Sequence, residues 1–168
     1  MSTEEHKKEI PNKIGIGVLT ISTTRTLSDD KSGNWLVKEA KKEGFTILFH
    51  HVVTDDIFKI RSAVREYQSV FSPDAVIVTG GTGLSKKDVT IEALTPLFEK
   101  ELTAFGPIFA QLSFDEIDSA AIMSRATAGI CGNTVLFLIP GSIKAVMLAA
   151  NNLIFPELGH ILKHMKTG

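Results

Sequence analysis

The chain has 168 residues, 43% of them hydrophobic and 22% charged, with a formal net charge of −1. That length suits one ordinary core, and that balance excludes a disordered chain. The near-zero charge excludes a protein-wide basic field of the kind that holds nucleic acid non-specifically, but not a local anion site.

Residues Met1–Asn12 are polar and charged and read as a flexible arm without a signal-peptide core. Ile14–Ser22 is an apolar, β-branched run suited to a strand buried on both faces. Gly15-x-Gly17 lies inside it, where close packing is the expected role. A polar stretch, Thr23–Gly33, leads to a helix predicted over Asn34–Glu43 and closed by Gly44, with Trp35 anchoring it to the core. Phe45–Val53 reads as the second strand, Ile57–Phe71 as a helix, and Ala75–Thr79 (AVIVT) as a short buried strand. Thr90–Glu99 and Phe105–Ser113 read as further helices.

The β-α-β-α-β-α order predicts parallel strands with helices on both faces. Ala121–Ile130 and Thr134–Ile139, separated by Cys131-Gly132-Asn133, then read as an antiparallel hairpin. Ser142 caps a final helix running to about His164. The expected architecture is a single α/β domain over residues 13–168. It is a three-layer αβα sandwich whose mostly parallel sheet carries a C-terminal antiparallel hairpin. Cys131 is the single cysteine, so no internal disulfide forms and a cytoplasmic setting is expected. No apolar run approaches the roughly 20 residues that span a bilayer, and neither a membrane nor a nucleic-acid partner is expected.

The sharpest motif is VIVTGGTGLSKKDVT, Val76–Thr90. Glycines at 80, 81 and 83 directly after a buried strand permit a tight turn whose N–H groups can meet an anion. Thr82 and Ser85 add hydroxyls, and Lys86 and Lys87 add charge. The competing reading is a plain strand-to-helix turn with a capping box at Ser85–Asp88. No Walker A loop is present, because Ser85 precedes Lys86 where glycine is required, and Lys86 occupies the place of the third dinucleotide-loop glycine. Asp88 could hold Mg²⁺ on a polyphosphate or cap a helix. Asp55 and Asp56 follow the second strand, where capping of the next helix is the stronger reading from sequence. Ser124-Arg125, placed in the first hairpin strand, calls for a phosphate or a structural carboxylate as partner. Pro140-Gly141-Ser142 with Lys144 repeats the strand-glycine-helix pattern. His160 and His164, one helical turn apart, read as a solvated face rather than metal ligands, and His50-His51 has no evident partner.

Taken together, TGGTG at Thr79–Gly83, KKDVT at Lys86–Thr90, SRA at Ser124–Ala126 and PGS-x-KA at Pro140–Ala145 resemble the molybdenum-cofactor biosynthesis family that includes MogA, MoaB and gephyrin-type G domains. The likeness spans about residues 13–165. Phe105-Gly106, the run Leu112–Ile117 and the short C-terminus are most similar to the MoaB branch. The resemblance implies an enzyme that transfers AMP from Mg·ATP to the terminal phosphate of molybdopterin, with a non-catalytic molybdopterin carrier or scaffold as the alternative. It implies catalytic and Mg²⁺-binding roles for Asp55 and Asp88. Pterin and phosphate contacts would fall to Thr79, Gly80, Gly81, Thr82, Gly83, Ser85, Lys86, Ser124 and Arg125. Nucleotide contacts would fall to Asp29, Ser32, Gly33, Pro140, Gly141, Ser142 and Lys144, with Asp30 in the same loop. It also implies a homotrimer or hexamer and hand-over to a molybdenum-insertion enzyme.

Overall fold

A computed structural model of the protein describes residues 13–167, so the arm expected over Met1–Asn12 lies outside the described residues. Strands β1 (Gly15–Ile21), β2 (Thr46–Val53), β3 (Ala75–Thr79), β4 (Lys100–Glu101), β5 (Thr127–Cys131) and β6 (Thr134–Ile139) form one sheet. Their spatial order is β2-β1-β3-β6-β5-β4. β2, β1, β3 and β6 pair in parallel, while β5 runs against both its neighbours. The hairpin is therefore not an appendage. Its second strand pairs with β3 inside the sheet, and its first carries the sheet on to β4.

Period-two alternation builds the layers. Ala75 and Ile77 of β3, with Val135, Phe137 and Ile139 of β6, face helices α1 (Lys31–Lys42), α4 (Phe105–Ile117), α5 (Ile143–Ala149) and α6 (Phe155–Lys166). Val76, Val78, Leu136 and Leu138 face the other way, toward α2 (Ile57–Phe71) and α3 (Thr90–Leu94). Both faces of the central strands are buried, which is why they read as continuous apolar runs. The two glycines of β1 serve packing: a side chain at Gly17 would overlap the Phe49 ring, and one at Gly15 would meet Leu48.

Several boundaries differ from the sequence expectation. α1 begins at Lys31 because Asp30 caps it, its carboxylate accepting from the Gly33 N–H. Ser32 and Gly33 thus sit in the first helical turn, not in a loop. The helix expected over Thr90–Glu99 stops at Leu94 and continues as a 3₁₀ turn, Thr95–Leu97, where Pro96 lacks the N–H an α-helix needs. Residues 100–101 then form β4. A second 3₁₀ segment, Asp118–Met123, occupies the start of the expected first hairpin strand, so Ser124-Arg125 lies in the connection before β5.

α5, a π segment (Ala150–Ile154) and α6 form one run, Ile143–Lys166, of 24 residues. By length and composition alone that run could cross a membrane. Here Val146, Ala149, Ile154, Leu158 and Leu162 pack it against the sheet as a core helix.

Candidate functional site

The carboxyl ends of β1, β2, β3 and β6 share one rim of the sheet, and the segments that follow line a cleft of about 740 Å³. Gly80 and Gly81 take positive φ, +95° and +67°. The turn is pressed on its neighbours: the Gly80 N–H donates to the Ile139 carbonyl at 3.0 Å. A Cβ on Gly80 would sit 2.5 Å from the Ile21 carbonyl oxygen. Thr90, the last residue of the KKDVT motif, closes the loop through its Oγ1 on the Gly80 carbonyl at 2.7 Å and its N–H on Gly81 at 2.9 Å. Among the described residues the N–H groups of Gly81, Thr82 and Gly83 have no protein acceptor. Thr82 is nevertheless buried. Backbone donors left without a protein acceptor on a cleft wall suit an anion.

The carboxylates divide the work. Asp56 caps α2, accepting from the Lys59 N–H at 2.9 Å. Asp55 faces the cleft instead, where the Thr23 hydroxyl donates to its Oδ2 at 2.7 Å. Asp88 also lines the cleft, and its Oδ2 accepts from the Ser85 N–H at 2.9 Å. It does not cap α3, whose N-cap is Val89 without a side-chain bond. The capping-box reading of Ser85–Asp88 is thus replaced by a turn that aims a carboxylate.

Among the described residues no group of three or more His, Cys, Asp or Glu side chains could hold a metal ion alone. Two hard carboxylates on one rim are nevertheless the donor set Mg²⁺ uses when substrate phosphates and waters complete its shell.

Arg125 has a carboxylate for a partner. Its Nη1 and Nη2 donate to Glu92 at 2.7 and 3.3 Å, and its Nε donates to the Thr82 carbonyl at 2.8 Å. The Arg125 hydrogen bond holds the Glu92 carboxyl below its ordinary range, and Glu92 in turn raises the guanidinium. The fork braces the glycine loop.

Behind the rim lies a buried polar cluster. Burial pushes the Asp30 carboxyl up, but hydrogen bonds from His50, Thr20 and the Gly33 N–H outweigh it and leave Asp30 below its ordinary value. His50 Nε2 lies 2.8 Å from Asp30 Oδ2, the partner the sequence did not name. Ser32 donates to the Gly141 carbonyl at 2.8 Å, tying α1 to the loop after β6.

Of the expected site residues, Asp55, Gly80, Gly81, Thr82, Gly83, Ser85 and Asp88 line the cleft, as do Ser124, Arg125, Pro140, Gly141 and Ser142. Ser142 also caps α5 through the Ala145 N–H. Others stand elsewhere. Thr79 is buried and donates to the Pro140 carbonyl, and Ser32 and Gly33 are buried in α1. Asp29 accepts from the Thr26 N–H, while Lys86 and Lys144 are exposed off the lining. Lys87, rather than Lys86, lines the cleft. The sequence reading missed Ser22–Arg25, although their place directly after β1 was the available signal.

A larger cleft of about 1330 Å³ opens at the opposite end of the sheet, near Asp74, Gly132 and α6. It lies at the amino ends of β3 and β6, and its glycine, Gly132, only turns the β5–β6 hairpin, so the smaller cleft at the carboxyl ends is the candidate site. On the larger one's rim, His160 and His164 face each other with Nε2 atoms 2.9 Å apart.

Open α/β sheets bind ligands outside the carboxyl ends of their parallel strands. Unpartnered loop N–H groups beside two carboxylates give this rim the chemistry that suits a phosphorylated small molecule. The particular class follows from comparison with known proteins. Residues 17–160 match the family described as a probable molybdopterin binding domain, and the chain belongs to that family.

It is 46% identical over 167 residues to molybdenum cofactor biosynthesis protein B of Bacillus subtilis, covering 99% of this chain and 98% of that one. It is 39% identical over 173 residues to a molybdopterin adenylyltransferase of Pyrococcus furiosus, covering 99% of each. A crystal structure of molybdenum cofactor biosynthesis protein B superposes with TM-score 0.90 at 42% identity, over 94% of this chain and 99% of that one. The tungsten cofactor synthesizing protein MoaB of Pyrococcus furiosus superposes with TM-score 0.83 at 36% identity, over 92% and 98%.

Proposed function

We propose that this cleft binds molybdopterin and Mg·ATP and transfers the adenylyl group to the pterin's terminal phosphate. A phosphate oxygen of the pterin attacks the α-phosphorus of ATP, a new P–O bond forms, and the bond to the β-phosphate breaks to release pyrophosphate. No protein nucleophile is needed. Phosphoryl and adenylyl transfer ask chiefly for positioning and for stabilisation of charge on phosphate.

The observation that carries this reading is the row of unpartnered N–H groups at Gly81, Thr82 and Gly83 facing Asp55 and Asp88. The N–H groups hold a phosphate without desolvating a counter-charge. Ser85 and Thr23 fix the direction of the two carboxylates. When bound, Mg²⁺ would neutralise charge developing on the polyphosphate, with Asp55 and Asp88 as its protein ligands. The name of the Pyrococcus furiosus relative supports the activity.

The test is to incubate the protein with molybdopterin, ATP and Mg²⁺. Adenylylated pterin is expected from the wild type, while Asp88→Asn binds pterin but forms at most about 1% of it. A variant as active as the wild type would remove Asp88 from the reaction.

The carrier reading rests on one observation: both carboxylates already accept hydrogen bonds within the protein, as a purely structural pair would. It predicts pterin binding without ATP turnover. A homo-oligomer is part of the same proposal. Phe114, Ile117, Ile122 and Met123 leave apolar surface exposed along α4 and the turn after it, and sedimentation would read its pairing. The product would pass to a downstream molybdenum-insertion enzyme.

A further inference from the structure

We propose that Arg25, and not Arg125, is the arginine that grips the phosphates of the nucleotide, a role that rests on the adenylyl-transfer reading above. Three cationic side chains line the cleft: Arg25, Lys87 and Arg125.

Arg125 is already committed. All three of its guanidinium nitrogens donate, Nη1 and Nη2 to Glu92 and Nε to the Thr82 carbonyl. Turning that fork toward a phosphate would break the brace on the glycine loop and leave Glu92 as an added negative charge beside it. With its charge matched by Glu92, Arg125 also does little to offset Asp55 and Asp88.

Arg25 is built the opposite way. Its backbone is fixed, because the Thr24 and Arg25 N–H groups both donate to Ser22 Oγ, at 3.2 and 3.1 Å. The neighbouring Thr23 is bound to Asp55. Its head is loosely held. Nη1 makes one 3.4 Å contact to the Gly141 carbonyl, which already accepts from Ser32 at 2.8 Å. At that distance the contact is marginal. Nε and Nη2 have no partner among the described residues. An anchored stem with an uncommitted planar fork is the arrangement that takes phosphate oxygens two at a time with little ordering cost.

Its position agrees. Arg25 Nη1 is 3.8 Å from the point where a Gly141 Cβ would stand, and that point is 3.1 Å from the Gly80 Cα. The guanidinium therefore hangs over the crossing of the glycine turn and the Pro140–Ser142 loop, on the rim where Asp55 and Asp88 need a positive counterpart before a polyphosphate can enter. Lys87, exposed as Arg25 is, offers a point charge without a fork.

The test is isothermal titration of wild type, Arg25→Ala, Arg25→Lys and Arg125→Ala with Mg²⁺ and two probes, AMP and a non-cleavable ATP analogue. Arg25→Ala should weaken the triphosphate about 10- to 100-fold and AMP by less than about threefold, with unchanged thermal melting. Arg25→Lys should fall between. Equal loss of both probes, or triphosphate affinity unchanged in Arg25→Ala, would overturn the assignment while leaving adenylyl transfer intact. So would a selective triphosphate loss in Arg125→Ala at unchanged melting. If the wild type binds neither probe, the adenylyl-transfer reading fails and Arg25 falls with it.

Discussion

The hydroxyl of Thr23 donates to Asp55 Oδ2 at 2.7 Å, so the residue two past β1 sets the direction of a carboxylate two past β2. The two segments are neighbours because β1 and β2 pair in parallel with Ile21 opposite Val53. Asp55 therefore reaches the glycine turn, its Oδ1 standing 3.3 Å from where a Cβ of Gly81 would be. Thr23→Val should lower the adenylylation rate about tenfold by releasing this carboxylate, with little change in melting because Thr23 is exposed. Thr23→Ser should restore most of it. Steady-state rates of the three proteins check this, and a Thr23→Val rate equal to wild type would show that Asp55 needs no holding.

The Arg125–Glu92 fork should matter more for the loop than for global stability. Side-chain exposures of 32% and 46% place the pair in solvent, where such bridges are worth about 0.2–1 kcal/mol. A double-mutant cycle with Arg125→Ala and Glu92→Ala should return coupling within that range. Because Glu92 is held below its ordinary value of 4.5, the bridge is present at neutral pH and disappears as acid protonates Glu92. Arg125→Ala should also speed amide exchange at Ser85, whose N–H is held by Asp88, since the Thr82 carbonyl loses its brace.

Asp30 carries a clear pH signature. Its carboxyl is buried, caps α1 and accepts from Thr20 and His50. Asp30→Ala should cost about 2–4 kcal/mol through the lost cap and stranded donors. Its folded pKa lies below the ordinary 3.8. The carboxylate's contribution is therefore complete above that value and is lost as pH falls through the lower folded one. The stability difference between wild type and Asp30→Asn should be flat from pH 7 to about pH 5 and shrink below about pH 4. Denaturant melts across that range decide it.

Glycine substitutions separate backbone strain from crowding. Gly132 and Gly80 both have positive φ, but a Cβ at Gly132 meets nothing within 4 Å, whereas one at Gly80 runs into the Ile21 carbonyl at 2.5 Å. Gly132→Ala should cost about 1–2 kcal/mol from strain alone. Gly80→Ala should cost more and also abolish pterin binding, because β1 and β3 cannot separate without opening the rim. Chemical denaturation and a pterin-binding titration read both effects.

The fold was legible where burial dictated pattern. α2 and β3 fall on the expected residues, since Ile57–Phe71 carries a helical stripe and Ala75–Thr79 is apolar on both faces. Legibility failed where a single side chain made the decision. Asp29 and Asp30 look alike in sequence, yet one accepts from a loop N–H and the other caps α1, which moved that helix's start upstream of Asn34. Asp55 and Asp56 are equally alike, and only the register of β1 against β2 tells the cleft residue from the cap.

Arg125 was visible as a buried-leaning charge, but its partner, Glu92, is 33 residues away. The Thr23–Arg25 segment carries no glycine or proline to mark it. Its chemistry appears only when the ends of β1, β3 and β6 are brought together.

Adenylyl transfer at this cleft is read from its two products. Purified protein with molybdopterin, ATP and Mg²⁺ should yield adenylylated pterin and pyrophosphate in equal amounts, and Asp55→Asn or Asp88→Asn should yield at most about 1% of either while still binding pterin. Wild-type protein that binds molybdopterin but forms no adenylylated product would rule out the transferase and leave the domain a carrier.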